Sequence, residues 1–399
     1  MSCRTSAAAE RAGVPGLRRA SPSGRTGSII GLDAIRFVAA LGVVLYHHAF
    51  LSWHEAASPI GVRAAVGVPV AYPDLVPFTS AGWVGVQIFF TFSGFVILLS
   101  AEGRSVTAFL RSRALRLAPA LWFFATFSLG VSWLYASLRP ESLLVMYLRS
   151  LTLFPKGPWI DGVYWTLTIE LLFYAVIALV IATGMTGRLR GLTILASACL
   201  LGFYGLVVAA RLDADLPFAA AILALEHSYE ARVLLLSTGP YFVVGINVYL
   251  LYRDGPGWPV LAALAASLGA GVVSLWLAAE GTFAVRLYGL SPATPVVLWL
   301  ASVGLLALSL WLHRTGWGSV RLNGVARRAG LATYPLYLVH NIAGAFVLGL
   351  LLRAGMPPSA SLVIAVALCV AVSFGFCEAV EPALRRWLDR TLLRFPGFA

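Results

Sequence analysis

Long apolar stretches dominate this chain and leave it few ways to fold. Ten of them, each close to the ~20 residues that cross a bilayer as a helix, run at about residues 31–52, 81–101, 117–138, 163–183, 191–210, 234–252, 259–279, 293–313, 331–352 and 361–381. The composition agrees, because 399 residues that are 59% hydrophobic and 12% charged carry more apolar surface than one water-soluble core can bury. The expected fold is all-α: a polytopic integral membrane protein of about ten transmembrane helices. The net charge of +12 is distributed in short patches between the spans and not in one stripe, which argues against nucleic acid as a partner. Cys199, Cys369 and Cys377 fall within apolar stretches and form no CxxC pair, so neither a disulfide framework nor a metal site is expected.

An even number of spans puts both termini on one side of the membrane. With that side cytoplasmic, 20 basic residues fall in cytoplasmic segments against 8 in outer ones, as the positive-inside rule requires. The chain divides into a basic cytoplasmic tail at 1–26, a transmembrane unit at 27–381 and a second basic cytoplasmic tail at 382–399. The first apolar stretch is interrupted by Asp33, Arg36 and two histidines and lacks a cleavage site, which argues against a cleaved signal peptide. The expected location is the inner (plasma) membrane, with membrane lipids as surroundings.

Ionisable groups inside spans cost on the order of 2.5–3.5 kcal/mol each on insertion scales and are functional candidates for that reason. Asp33, Arg36, His47, His48, Glu170, His340, Glu378 and Glu381 make up this set. Eleven positions at ~100° each return to nearly the same helix face, so Arg36 and His47 share one side of the first span while His48 points about 100° away. Asp33 stands three residues before Arg36, a spacing that permits an ion pair. In the fourth span Thr166, Glu170 and Tyr174 stack at i, i+4. Counted from the span ends, Glu170 and His47 both lie in the outer half of the membrane, where a carboxylate beside an imidazole would make a general-base pair.

Arg113 and Arg116, three apart before Pro119, suit a clamp for a phosphorylated ligand; a topology signal paired with Glu378 and Glu381 is the structural alternative. The ninth span offers Tyr334, Tyr337, His340 and Asn341 on overlapping faces, and the second offers Gln87 and Ser93 among small residues.

Together these segments resemble the membrane-bound acyltransferase 3 family. The segments are Leu32-Asp33-Ala-Ile-Arg36 with His47 after ten residues, Gly85 to Phe95, Arg113-x-x-Arg116 before Pro119, Trp165 to Tyr174, and Tyr334-Pro-Leu-Tyr337-Leu-Val-His340, in that order. The resemblance implies a ten-helix domain that moves acetyl or other short acyl groups from acyl-CoA onto hydroxyls of sugars, glycolipids and related acceptors. It implies that His47 and not His48 is needed for transfer, and that Arg113 and Arg116 lie near the CoA entrance. Two departures stand out: Leu171 replaces a second acidic residue after Glu170, and Ile342 replaces a proline after His340.

The resulting expectation is an integral membrane O-acyltransferase with a cytoplasmic acyl-CoA donor substrate, a carbohydrate or lipid-linked acceptor, and no metal or other cofactor. His47 and Glu170 are the expected catalytic pair, with His47 either the general base of a direct transfer or the nucleophile of an acyl-histidine, and Arg36, Arg113 and Arg116 the expected donor-binding or supporting cations. Gln87, Ser93, Trp165, Tyr174, Tyr337, His340 and Asn341 are the expected pocket residues. The competing expectation is a proton-coupled transporter or flippase with intramembrane His and Glu as relay groups, although no repeat symmetry of the kind such proteins show is visible.

Overall fold

The computed structural model of the protein describes residues 29–226, 228–315 and 320–391. The tail expected at 1–26 and residues 392–399 lie outside the described residues. Nine helices among the described residues are long and apolar enough to cross a membrane. In chain order, with two further elements, they are α1 (Ile30–His54), α2 (Pro73–Ala101), α3 (Val106–Tyr135), α4 (Pro140–Leu151), α5 (Gly162–Ala182), α6 (Met185–Leu212), α7 (Gly239–Asp254), α8 (Trp258–Glu280), α9 (Ala293–Thr315), α10 (Gly324–Arg353) and α11 (Pro358–Thr391).

The sixth expected span appears as α7, which has only 16 residues, about 24 Å at 1.5 Å each. Every residue from Gly239 to Leu250 is buried, so α7 is enclosed by other helices and shows no lipid-facing stripe there. It lies against α2, α6 and α8. Two glycines permit the closest of these approaches: a Cβ at Gly94 would collide with the Phe242 carbonyl, and one at Gly245 with the Thr91 carbonyl. The small residues of the Gly85 to Phe95 segment thus admit a neighbouring backbone.

α1 is flanked by α10, α2 and α9, and α10 also meets α3 and α11. Local signals set the ends of these helices. Ser105 caps α3 by accepting from the Ala108 amide, and Asp161 caps α5 by accepting from the Val163 amide. The last helix, α11, continues past the boundary expected at 381/382. The helix runs on to Thr391, and Arg111 of α3 fastens it by donating to Asp389 at 2.8 Å. Among the described residues three helices contain π turns, at Tyr46–Leu51, His340–Gly344 and Phe376–Val380. Such widened turns are frequent at functional sites, and the first two hold three of the intramembrane histidines.

Candidate active site

The π turns of α1 and α10 face each other and bring His47 to His340. His47 Nδ1 lies 2.9 Å from the Val43 carbonyl and 3.2 Å from His340 Nε2. His340 Nδ1 lies 2.9 Å from the Tyr337 carbonyl. Carbonyl oxygens only accept, so both Nδ1 atoms carry the proton; His340 Nε2 then offers its lone pair to His47 Nδ1–H. By elimination the second ring nitrogen of His47, Nε2, keeps a free lone pair, and it has no hydrogen-bond partner among the described residues. His48 does something else. Its Nε2–H donates to the His340 carbonyl at 2.7 Å, within fully buried surroundings. His48 therefore braces the opposite π turn, and the facial separation of the two histidines read from the sequence corresponds to two different contacts.

The expected pairing of His47 with Glu170 is not formed. Glu170 Oε1 accepts from the Tyr174 hydroxyl at 2.5 Å and from Ser93 Oγ at 3.4 Å, while the polar partner of the His47 ring is His340. Depth counted along two helices matched the residues in height and could not say which helix faced which. Glu170 instead lines a small cavity of about 60 Å³ with Arg36, Ser93, Thr166, Tyr334 and Tyr337. Asp33 and Arg36 are in electrostatic reach of one another but form no close ion pair. Arg113 lies over the Tyr174 ring (5.9 Å) and Arg116 over the Tyr334 ring (5.6 Å), so both arginines abut side chains around this cavity. Glu381, one of their expected acidic partners, is paired with Arg385 at 2.6 Å.

A second cavity, of about 610 Å³, is lined in part by Glu55, Gln87, Trp165, Arg232, Tyr241 and Asn341. Neighbouring residues divide between the two cavities: Val86 and Thr166 line the small one, Gln87 and Trp165 the large one. Thr166 Oγ1 and the Tyr337 hydroxyl, both on the small cavity, are hydrogen-bonded at 2.9 Å. Along α10, Tyr337 borders the small cavity and Asn341 the large one, with His340 between them.

A family model described as an acyltransferase domain matches residues 29–378. The chain belongs to this family. Over 108 residues it is 37% identical to the exopolysaccharide production protein ExoZ of Rhizobium meliloti (strain 1021), covering 24% of this chain and 33% of that protein. Over 179 residues it is 29% identical to an O-acetyl transferase of Shigella phage Sf6, covering 39% of this chain and 47% of that protein. The chain thus spans a third to about half the length of these curated relatives. No solved structure matches it.

In this acyltransferase-family chain the residues singled out in the sequence assemble as three groups. His47 and His340 form one; Arg36, Ser93, Glu170 and Tyr337 line the small cavity, with Tyr174 bonded to Glu170 and Arg113 and Arg116 over the Tyr174 and Tyr334 rings; Gln87, Trp165 and Asn341 line the large one. Asp161 was missed. It is fully buried, and it accepts from Asn341 Nδ2 at 2.6 Å, the Val163 amide at 3.1 Å and the Ile342 amide at 3.3 Å. Its only sequence signal is that of a helix N-cap. Also unforeseen is a hydroxyl cluster on the large cavity, in which Tyr204 and Tyr241 both donate to Ser274 Oγ at 2.9 Å.

Proposed function

We propose that this protein transfers an acyl group, acetyl in the simplest case, from acyl-CoA to a hydroxyl of a surface carbohydrate or its lipid-linked precursor. The observation that carries the reading is the free Nε2 of His47, held in a helix bundle by an imidazole that accepts from its other nitrogen. The names of the relatives, an O-acetyl transferase and an exopolysaccharide production protein, support the transferred group and the acceptor class.

In this mechanism His47 Nε2 takes the proton of the acceptor hydroxyl as its oxygen attacks the thioester carbonyl carbon. The carbon–sulfur bond then breaks, and the imidazolium returns the proton to the departing thiolate, leaving an ester and a free thiol. The positive charge that forms on His47 is met by His340 Nε2 and the Val43 carbonyl, a role the sequence had suggested for Glu170. Arg36, Arg113 and Arg116 serve the phosphate-bearing donor from the side of the small cavity, and the arginine distribution supports reading that side as cytoplasmic. The acceptor occupies the larger cavity, where Asn341 Oδ1 is buried without a donor and Trp165, with Arg232 over its ring, forms part of the wall.

The test is incubation of the full chain in nanodiscs with labelled acetyl-CoA and carbohydrate acceptors. Labelled ester that is lost in His47→Ala is expected; acetyl-CoA or sugar crossing the membrane with no ester formed would establish the transporter reading instead.

A further inference from the structure

Asp161 does more than cap a helix. One oxygen and one bond to the Val163 amide would satisfy the start of α5. The shortest bond, 2.6 Å, goes to Asn341, and the second oxygen takes the Ile342 amide, so two of three donors belong to the π turn that begins at His340. From the other side His48 holds the His340 carbonyl of the same turn. We propose that Asp161 is a positioning residue whose carboxylate keeps the His340–Gly344 turn in register and so keeps His340 against His47. A π turn accommodates one residue more than the α-helix around it, and side-chain bonds to its backbone oppose relaxation into plain α-helix. Such a relaxation would turn His340 away from His47 Nδ1, 3.2 Å distant, and leave the His47 tautomer unsupported.

The carboxylate form is the one that fits, since all three of its bonds come from N–H donors and an added O–H would have no acceptor among them. Burial nevertheless pushes Asp161 up to about 6, against the pull of its N–H donors. The titratable groups around it are Glu55 from the segment after α1, Tyr135 at the end of α3, Tyr164 beside it and Tyr337 of α10, and none of them is basic. A carboxyl raised in the folded state adds stability below its unfolded value of 3.8, and that contribution is lost as pH rises through about 6. The positioning role runs the other way and fails as pH falls through about 6. On this account acid pH lowers turnover while the fold gains stability from the same group.

The positioning role rests on the acyltransferase reading for its activity assay, so the experiment carries a second readout that does not. Asp161→Asn is made in the full chain, checked for folding by size exclusion and melting temperature, and assayed for kcat and for KM of donor and acceptor. A fall in kcat on the order of 10–100-fold is expected, the scale of a misplaced catalytic group, with both KM values within about twofold and the acid limb near pH 6 reduced to that of the histidines. In parallel, carbethoxylation of His47 by diethyl pyrocarbonate is followed by mass spectrometry and is expected to slow severalfold. A folded Asp161→Asn protein with wild-type kcat, or with an unchanged His47 labelling rate, overturns the proposal. If the wild type transfers no acyl group, the acyltransferase reading fails and the labelling rate still decides the positioning role. Should Asp161→Asn not fold, Asn341→Ala replaces it, because it removes the 2.6 Å bond and leaves the two backbone bonds; unchanged kcat and labelling there overturn the proposal equally.

Discussion

Two carboxylates on either side of the start of α5 meet quite different surroundings. Glu170 faces a small cavity, accepts only from hydroxyls and shares that cavity with the Arg36 guanidinium. Asp161 is sealed off, accepts only from N–H groups and has no cation bonded to it among the described residues. A carboxylate held by O–H donors beside a cavity can exchange partners when a ligand arrives. One held by backbone amides cannot do so without moving the backbone. The Glu170 region therefore suits ligand binding and the Asp161 region suits geometry, and substitutions at the two should separate into effects on KM and effects on kcat.

The largest expected effect lies at the group both regions serve. His47→Ala should lower transfer by about 10³-fold or more, toward the upper range for loss of a general base. His48→Ala, which frees the His340 carbonyl, should lower kcat by roughly tenfold, through geometry alone. Equal losses in the two folded variants would mean that the histidines cannot be divided into one that reacts and one that braces.

Next comes the direct contrast. Glu170→Gln should raise the KM for acyl-CoA by about tenfold with kcat nearly preserved, since Gln accepts the same Tyr174 and Ser93 bonds but leaves Asp33 as the one carboxylate still acting on the Arg36 guanidinium among the described residues. A fall in kcat that matches Asp161→Asn would erase the distinction between the two carboxylates and would restore Glu170 to the catalytic step. Arg116→Ala and Arg113→Ala should each raise the same KM severalfold, and raising salt should weaken donor binding less in these variants than in the wild type. Their orientation in the membrane is checked by tags at both termini, because arginines also set topology.

The smallest effect sharpens the comparison at its edge. Ser93 donates to Glu170 at 3.4 Å, a long contact. Ser93→Ala should therefore change kcat/KM by no more than about twofold, roughly 0.4 kcal/mol and so below the ~0.5–1.5 kcal/mol of a typical hydrogen bond. A tenfold loss would place Ser93 against a substrate.

The amino-acid sequence by itself determined that the protein is an α-helical membrane bundle, where its spans lie, which few polar groups are inside them and which family they resemble. Those features depend on hydropathy, helical period and local spacing, all of which act within a segment. Spacing set His47 apart from His48, which make different contacts in the bundle, because one helix face is a local property. It could not show that the sixth span is a short buried helix, since α7 is apolar in sequence and is enclosed by α2, α6 and α8, the first brought close by Gly94 and Gly245. Nor could it choose partners. His47 meets His340 across 293 positions and Asp161 meets Asn341 across 180, each through a π turn that shifts the helical register by one residue. Depth along a helix is counted in residues, but which faces touch is set by how whole helices cross and where a turn is widened, and that only the packed bundle decides.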